Sequence, residues 1–215
     1  MNDFPDELVH PAKQARGLAR QQRVIAAGLK LLKDHTLESL TMAQIAKEAN
    51  CSVGNLYKRF ANKDALLTVL LASVQDDLHK EFEAVFDAET AGCKGLQGAV
   101  KPIVKFLVNL FARSGNLLRA IVMRQMNQPE VTHSLRAMRY EMMDQTYAVI
   151  APLMIATLTA EEKRRRVEIF WQLIIGSLLE MLLNKAGPLH IDDADIVENL
   201  TRIAMANLVE DCYQS

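Results

Sequence analysis

Between residues 18 and 34 the apolar positions Val24, Ile25, Leu29, Leu31 and Leu32 recur at the spacing of a helix face, with Arg20, Arg23 and Lys30 among the polar positions between them. The pattern predicts an amphipathic helix running to Asp34. DHTLESL is polar and reads as a connecting loop. Thr41 then opens TMAQ, a capping-box pattern in which the hydroxyl and Gln44 satisfy the free amides of a helix start. Met42, Ile45, Ala46 and Ala49 form the inner face of the short helix that follows. Asn50 stands where a tight turn needs a residue that tolerates the left-handed region. Ser52 caps a second short helix, from Val53 to about Phe60, and Asn62 caps a long one through LLTVLLASVQDDLHKEFEAVF.

The second short helix is the odd element. Only Val53, Leu56 and Phe60 are apolar at helical spacing, so it buries little and would not form alone. Its outer face carries Asn55, Tyr57, Lys58 and Arg59. A helix, a three-residue turn and a second helix with a polar outer face, held between longer helices, is the helix-turn-helix arrangement, whose second helix enters the major groove of DNA. Gly54 keeps the start of that helix free of bulk, so the backbone can approach a phosphate closely.

Beyond Phe86 the apolar pattern changes scale. AETAGCKG breaks the chain before an apolar helix from Leu96 to Arg113, SGN interrupts it, and NLLRAIVMRQM forms a shorter helix. Pro129 suits a helix start, and the segment through YEMMDQTYAVIAPLMIATL predicts one long helix bending at Pro152. TAEE, Thr159 to Glu162, is a second capping box, opening a helix through FWQLIIGSLLEMLLNK. AGP ends it, and DDADIVENLTRIAMANLVEDCY supplies the last. The expected chain is all-α, with about nine helices and no strands.

Composition narrows the function. Half of the 215 residues are hydrophobic, 24% are charged, and there are only nine Gly and six Pro, as in a well-packed helical protein with few loops. No apolar run approaches a membrane span, and the polar N-terminus lacks a signal core, so a cytoplasmic location is expected, with no membrane partner. Cys51, Cys93 and Cys212 are odd in number and in no metal-binding spacing, so they read as reduced thiols. His10, His35, His79, His133 and His190 are scattered, with no pair at ligand spacing and no acid partner in a recognisable site, and no phosphate loop, nucleophile elbow or dinucleotide fingerprint is present. No enzyme, metal or cofactor is therefore expected. Up to Lys63 the chain holds ten Lys/Arg against six Asp/Glu, a charge of +4, and the remainder holds fifteen against twenty, a charge of −5. A basic first quarter on an acidic remainder suits an anionic partner for the N-terminal part.

TMAQIAKEANCSVGNLYKRFANKDALL resembles the DNA-binding signature of TetR-type transcriptional regulators. The resemblance rests on the Thr cap, the Ile-Ala core pair, Ser-x-Gly-x-Leu-Tyr, the Phe two residues after Lys58, and Lys-Asp-x-Leu at the start of the fourth helix. It covers roughly Leu18 to Leu78. The turn reads Asn-Cys where Gly and an aliphatic residue are usual, and Arg59 stands where His or Tyr is typical. The resemblance implies a flexible arm over residues 1–17, a three-helix helix-turn-helix DNA-binding domain over 18–78, and an effector-binding and dimerisation domain over 79–215. It also implies that Thr41, Tyr57 and Lys63 touch phosphates while Ser52, Val53, Asn55 and Lys58 face the groove, with Gly54 and Arg59 in the same surface. Hydroxyls, lysines and helix-start amides suit phosphate oxygens, Asn55 can pair with adenine, Lys58 with guanine, and Val53 can pack on a thymine methyl. Arg16, Arg20 and Arg23 can add phosphate or minor-groove contacts.

Seven of the ten methionines lie between Met123 and Met181, beside several aromatics. Met at helical spacing commonly fills a core, but Met-rich apolar regions also accommodate varied ligands. Family members bear an effector pocket in this region, which makes Phe106, Phe111, Met123, Met126, Met142, Tyr147, Phe170 and Trp171 its candidates for a lipophilic small molecule. Glu180, inside LIIGSLLEMLL, is a counter-charge for a cationic ligand or else faces solvent or a partner subunit. EEKRRR, Glu161 to Arg166, reads as a solvated helix start. Family members pair two helices from each subunit, and here Leu173, Gly176, Leu200, Ile203 and Leu208 are the candidates for that homodimer surface. The resulting expectation is a homodimeric repressor released from a palindromic double-stranded DNA operator by its effector. The alternative is an activator, or a regulator of the same fold answering to a protein.

Overall fold

The computed structural model describes residues 15–36, 39–85, 95–127, 132–184 and 187–209, and every regular element among them is helical. In chain order these are α1 (Ala15–Asp34), α2 (Met42–Glu48), α3 (Val53–Tyr57), α4 (Lys63–Val85), α5 (Gly95–Asn127), α6 (Thr132–Ile150), a single 3-10 turn (Ala151–Leu153), α7 (Ala160–Leu183) and α8 (Ile196–Val209). Helix α5 leaves helical geometry at Ser114 (φ −118°, ψ 17°), inside the SGN expected to interrupt it. Counting its two parts, nine α-helical segments lie among the described residues, as the apolar pattern predicts. The expected arm lies outside the described residues up to position 14, and from Ala15 the chain is already helical.

The described residues form two compact units. The first takes 15–36, 39–77 and 116–127, so the segment after SGN, assigned on sequence to the larger region, groups instead with the N-terminal helices. Asn116 makes one of its links, donating from Nδ2 to the Lys33 carbonyl at 3.1 Å. The core of this unit includes Val24 and Leu32 of α1, Ile45 and Ala46 of α2, Leu56, Phe60, and Leu66, Leu67 and Leu70 of α4. Gly28 lets α1 approach α4, because a Cβ there would stand 2.9 Å from Leu70 Cδ1. Burying Leu56 and Phe60 is worth about 1.5–3 kcal/mol each, which is what holds so short a helix as α3 in place.

The second unit takes 78–85, 95–115, 132–184 and 187–209. Helices α6, α7 and α8 pack in sequence, with Val167, Phe170, Trp171, Ile174 and Leu178 of α7 buried. Two expectations change here. The helix before Thr159 does not bend at Pro152 but ends at Ile150, because proline has no N–H for the ladder and its ring crowds the carbonyl four residues back. The last helix begins at Ile196, since His190 N–H donates to Asp193 Oδ2 at 2.7 Å and residues 190–195 are used as turns.

The run EEKRRR is also more than a solvated start. Glu162 closes the Thr159 capping box and Lys163 Nζ donates to the Ala151 carbonyl at 3.0 Å. Arg164 pairs with Asp144 and lies over the Tyr147 ring, 5.5 Å from its centroid. Arg166 Nη1 donates to the Asn207 carbonyl at 3.3 Å while Asn207 Nδ2 donates to the Arg166 carbonyl at 2.8 Å. Long basic side chains at the start of α7 reach both neighbouring helices, so the run ties three elements together.

Candidate nucleic-acid interface

The site is built by three caps and one turn. Thr41 Oγ1 accepts the Gln44 N–H at 3.2 Å, and Gln44 Oε1 accepts the Thr41 N–H at 2.7 Å, so α2 starts with a complete capping box. Asn50 takes a positive φ of 50° and turns the chain between α2 and α3, the role its tolerance of that region allows. Ser52 Oγ accepts the Asn55 N–H at 3.3 Å to start α3, and Asn62 Oδ1 accepts the Ala65 N–H at 2.8 Å to start α4. Regular α3 ends at Tyr57, shorter than expected, although Phe60 N–H still donates to the Leu56 carbonyl at 2.8 Å.

With Leu56 and Phe60 fixed inward, the rest of the helix is turned out. Val53 is 37% and Tyr57 52% exposed, high for an apolar and an aromatic side chain, and neither is spent on the core. Ser52, Gly54 and Lys58 are exposed, and Asn55, Arg59 and Lys63 partly so. A Cβ on Gly54 would meet nothing within 4 Å, so nothing inside the unit demands glycine there. Thr41 is exposed at the start of α2, and Arg20 and Arg23 on α1. The side chain of Arg16 lies outside the described residues.

Arg59 behaves differently from its neighbours. Its Nη2 donates to Gln21 Oε1 on α1, and its Nε is buried without an acceptor among the described residues. Burial lowers the guanidinium pKa from its ordinary value. A pairing between positions 38 apart leaves no trace in apolar periodicity, and the sequence pattern does not reveal it.

A model for the bacterial regulatory proteins of the TetR family matches residues 24–70, the span from Val24 of α1 through α2 and α3 into α4. Residues 24–70 thus match the DNA-binding region of the TetR family of bacterial regulatory proteins. The HTH-type transcriptional regulator HbdR of Aromatoleum sp. is 32% identical over 81 residues, which are 38% of this chain and 35% of HbdR. The match thus spans about a third of the curated relative's length. A TetR-family transcriptional regulator from Streptomyces coelicolor superposes with a TM-score of 0.63 at 19% identity, covering 88% of this chain and 79% of that one. GusR of Salmonella enterica gives 0.61 at 18%, covering 92% and 99%, and a TetR transcription regulator from Haloarcula marismortui 0.66 at 16%, covering 89% and 97%. At these identities the superpositions establish a fold shared with these regulators. Among the described residues no group of His, Cys, Asp and Glu has the geometry of a metal site, and no helix is long and apolar enough to cross a membrane.

In the second unit the aromatic candidates are packed together. Phe82 stands edge-to-face with Phe106 at 5.1 Å and with Trp171 at 5.9 Å, and Trp171 with Phe170 at 6.2 Å. Phe106, Phe111, Met142, Phe170 and Trp171 are all buried, and Tyr147 is partly exposed, its hydroxyl donating to the Ala160 carbonyl at 3.4 Å. Met123 and Met126, assigned with them on sequence, lie on the part of α5 that groups with the first unit, their side chains outside the described residues. Trp171 Nε1–H and Gln145 Oε1 are buried and find no partner among the described residues.

The dimer candidates separate into two groups. Leu173 and Ile203 are each 41% exposed, and Gly176 is exposed, so that a methyl group added there would meet nothing within 4 Å. Leu200 and Leu208 are fully buried inside the subunit, which corrects their assignment to an outward stripe. On α8 the face toward α7 takes Ile196, Leu200, Ala204 and Leu208 at intervals of four, leaving Ile203 and Val209 outside. Glu180 is exposed and lines an open groove of about 520 Å³ with Leu173, Gly176, Pro188 and Leu189, so it has no buried partner to satisfy.

Proposed function

We propose that the protein is a homodimeric repressor that binds a palindromic double-stranded DNA operator through α3 and is released from it by a lipophilic small molecule. The observation that carries the DNA half is α3 itself. Leu56 and Phe60 anchor it, while Val53, Tyr57 and Lys58 are exposed on its outer face. Thr41, Tyr57 and Lys63 set the register on phosphates. Ser52, Val53, Asn55 and Lys58 read base edges, with the Gly54 backbone close to the strand and Arg59 beside it.

Dimerisation through α7 and α8 is supported by Leu173, Gly176 and Ile203, apolar or small residues left outside on both helices. A two-fold pair of subunits presents two copies of α3 to half-sites about one helical turn apart. The effector reading is supported by the Met and aromatic side chains of the second unit. Two buried polar atoms there, Trp171 Nε1–H and Gln145 Oε1, can pair with polar groups on an otherwise apolar ligand. Ligand binding would favour a subunit arrangement that spaces the two α3 helices wrongly for adjacent major grooves.

Selection of bound duplexes from a random pool tests the reading directly. The expected product is an inverted repeat with half-sites spaced by about a helical turn. Recovery of no enriched sequence, with the protein folded, would remove the DNA half.

A further inference from the structure

The first unit contains a cavity of about 160 Å³ between α1 and α3, lined by none of the residues assigned to the effector. It is roughly the size of an apolar cavity known to hold a benzene ring, about 150 Å³. Its walls fall into two chemical sets. Val24, Leu56 and Phe60 are buried apolar side chains that also belong to the core of the unit. Arg20, Lys58 and Arg59 contribute three cations, and no acidic residue is among the lining residues described.

Arg59 gives the cavity a specific donor. Gln21, another wall residue, accepts from its Nη2 and so holds the guanidinium in one orientation. The Nε–H of the same group is buried without an acceptor among the described residues. A buried N–H left unpaired costs about 1–3 kcal/mol, more when the group is charged, and an oxyanion would remove that cost. The lowering of the Arg59 pKa by burial has the same cause, a cation taken from water with no counter-charge beside it.

We propose that this cavity is a second ligand site, which takes a small organic carboxylate: an apolar body of about one ring or a short chain against Val24, Leu56 and Phe60, and a carboxylate on Arg59. The apolar walls separate this ligand from a bare inorganic anion, and the three cations separate it from a neutral apolar compound. Asn55 and Lys58 line the same cavity and face the groove in the proposed DNA complex. Occupation therefore competes with the operator at its own contact residues, without any signal from the second unit.

Cys51 lines the cavity and is partly exposed, which makes it a reporter. The experiment measures the rate of iodoacetamide alkylation at Cys51, resolved by peptide mass, on the full chain. Sodium benzoate, sodium hexanoate, inorganic phosphate and an operator duplex are compared at matched ionic strength. At a carboxylate concentration about ten times its Kd, labelling should slow roughly tenfold by mass action. Phosphate should not slow it, and Arg59→Gln should lose the protection while remaining folded by circular dichroism. Arg20→Gln, an exposed site on α1, should weaken protection and serves if Arg59→Gln does not fold.

Unchanged labelling with both carboxylates overturns the proposal, as does equal protection by phosphate or protection that survives Arg59→Gln. Protection by the duplex alone also overturns it and makes the cavity part of the DNA face. The carboxylate arms contain no DNA, so their failure is separable from failure of the regulator reading.

Discussion

Gly54 is the residue at which fold and function separate most cleanly. It lies in the first turn of α3, and an added methyl group would meet open space. Gly54→Ala should leave the melting temperature unchanged or slightly raised, since alanine is the better helix former by about 0.5–1 kcal/mol. DNA affinity should fall, because in the proposed complex the methyl stands where a phosphate approaches. Gel-shift and thermal melts on the same preparation check both halves, and equal affinity for the two proteins would show that the strand does not come near this turn. Asn55→Ala and Lys58→Ala should each cost about 1–3 kcal/mol on the best site and relax its sequence, while Tyr57→Phe should weaken all sequences alike. Unchanged selected sites for both would put base reading elsewhere. The outward position of these residues was legible in the sequence because the caps at Thr41, Ser52 and Asn62 set the register of each helix, and register decides which side chains turn out.

Glu162 makes a residue-scale prediction about acid. The Thr159 backbone N–H donates to its carboxylate, the hydroxyl adds a second bond, and together they hold its pKa below the usual carboxylate value. A depressed folded-state pKa means that the stabilisation is present above the unfolded value and is lost as pH falls through the folded one. Glu162→Gln keeps a capping oxygen, as Gln44 does in the first box, but cannot titrate. Its thermal stability should therefore fall less steeply than that of the parent on the acid side of the carboxylate range. Identical acid limbs would mean that the box does not contribute there.

At the scale of elements, α7 and α8 show why an apolar stripe is not by itself an interface. Leu200 lies on the face of α8 that α7 covers, and Ile203 lies on the other. Leu200→Asp should unfold or gravely destabilise the subunit, by on the order of 4–5 kcal/mol, because a carboxylate would be buried without a partner. Leu173→Asp should change the stability of the isolated subunit by no more than about 0.5 kcal/mol and should convert the proposed dimer to monomer. Sedimentation and circular dichroism separate the two outcomes, and a dimer that survives Leu173→Asp would move the interface off this face. The helical period carried by the last segment states that one face is buried, but not whether the covering surface comes from the same chain. Pro152 and EEKRRR mark the same limit. A proline both bends and ends helices, and a basic run reads as solvated until its neighbours are known.

At the scale of the whole molecule, the proposed repressor is defined by a coupling between two sites. A ligand that weakens operator binding must itself bind more weakly to the operator complex, by the same factor. A coupling of about 1–3 kcal/mol lowers operator affinity roughly 5- to 150-fold. Trp171 is the only tryptophan and is 1% exposed within the aromatic cluster, so its emission reports on events in the second unit. A lipophilic effector should shift that emission, and its Kd should rise in the presence of operator. Tight binding that is indifferent to operator would leave the compound a bound passenger and not an effector.

The one-dimensional pattern determined what depends on neighbours three and four residues away: the helices, their caps, the turn at Asn50 and the outward face of α3. The basic character of the first quarter was equally local, a matter of counting. Tertiary structure decided what depends on residues far apart in the chain. It placed Leu200 and Leu208 inside and Leu173 and Ile203 outside, and grouped the segment after SGN with the N-terminal helices. It also brought Gln21 to Arg59 around a cavity lined by three cations. Short-range hydrogen bonds and helical periodicity are written into adjacent residues. Which apolar face is covered, and which charge is left without a partner, follows only once distant segments have packed.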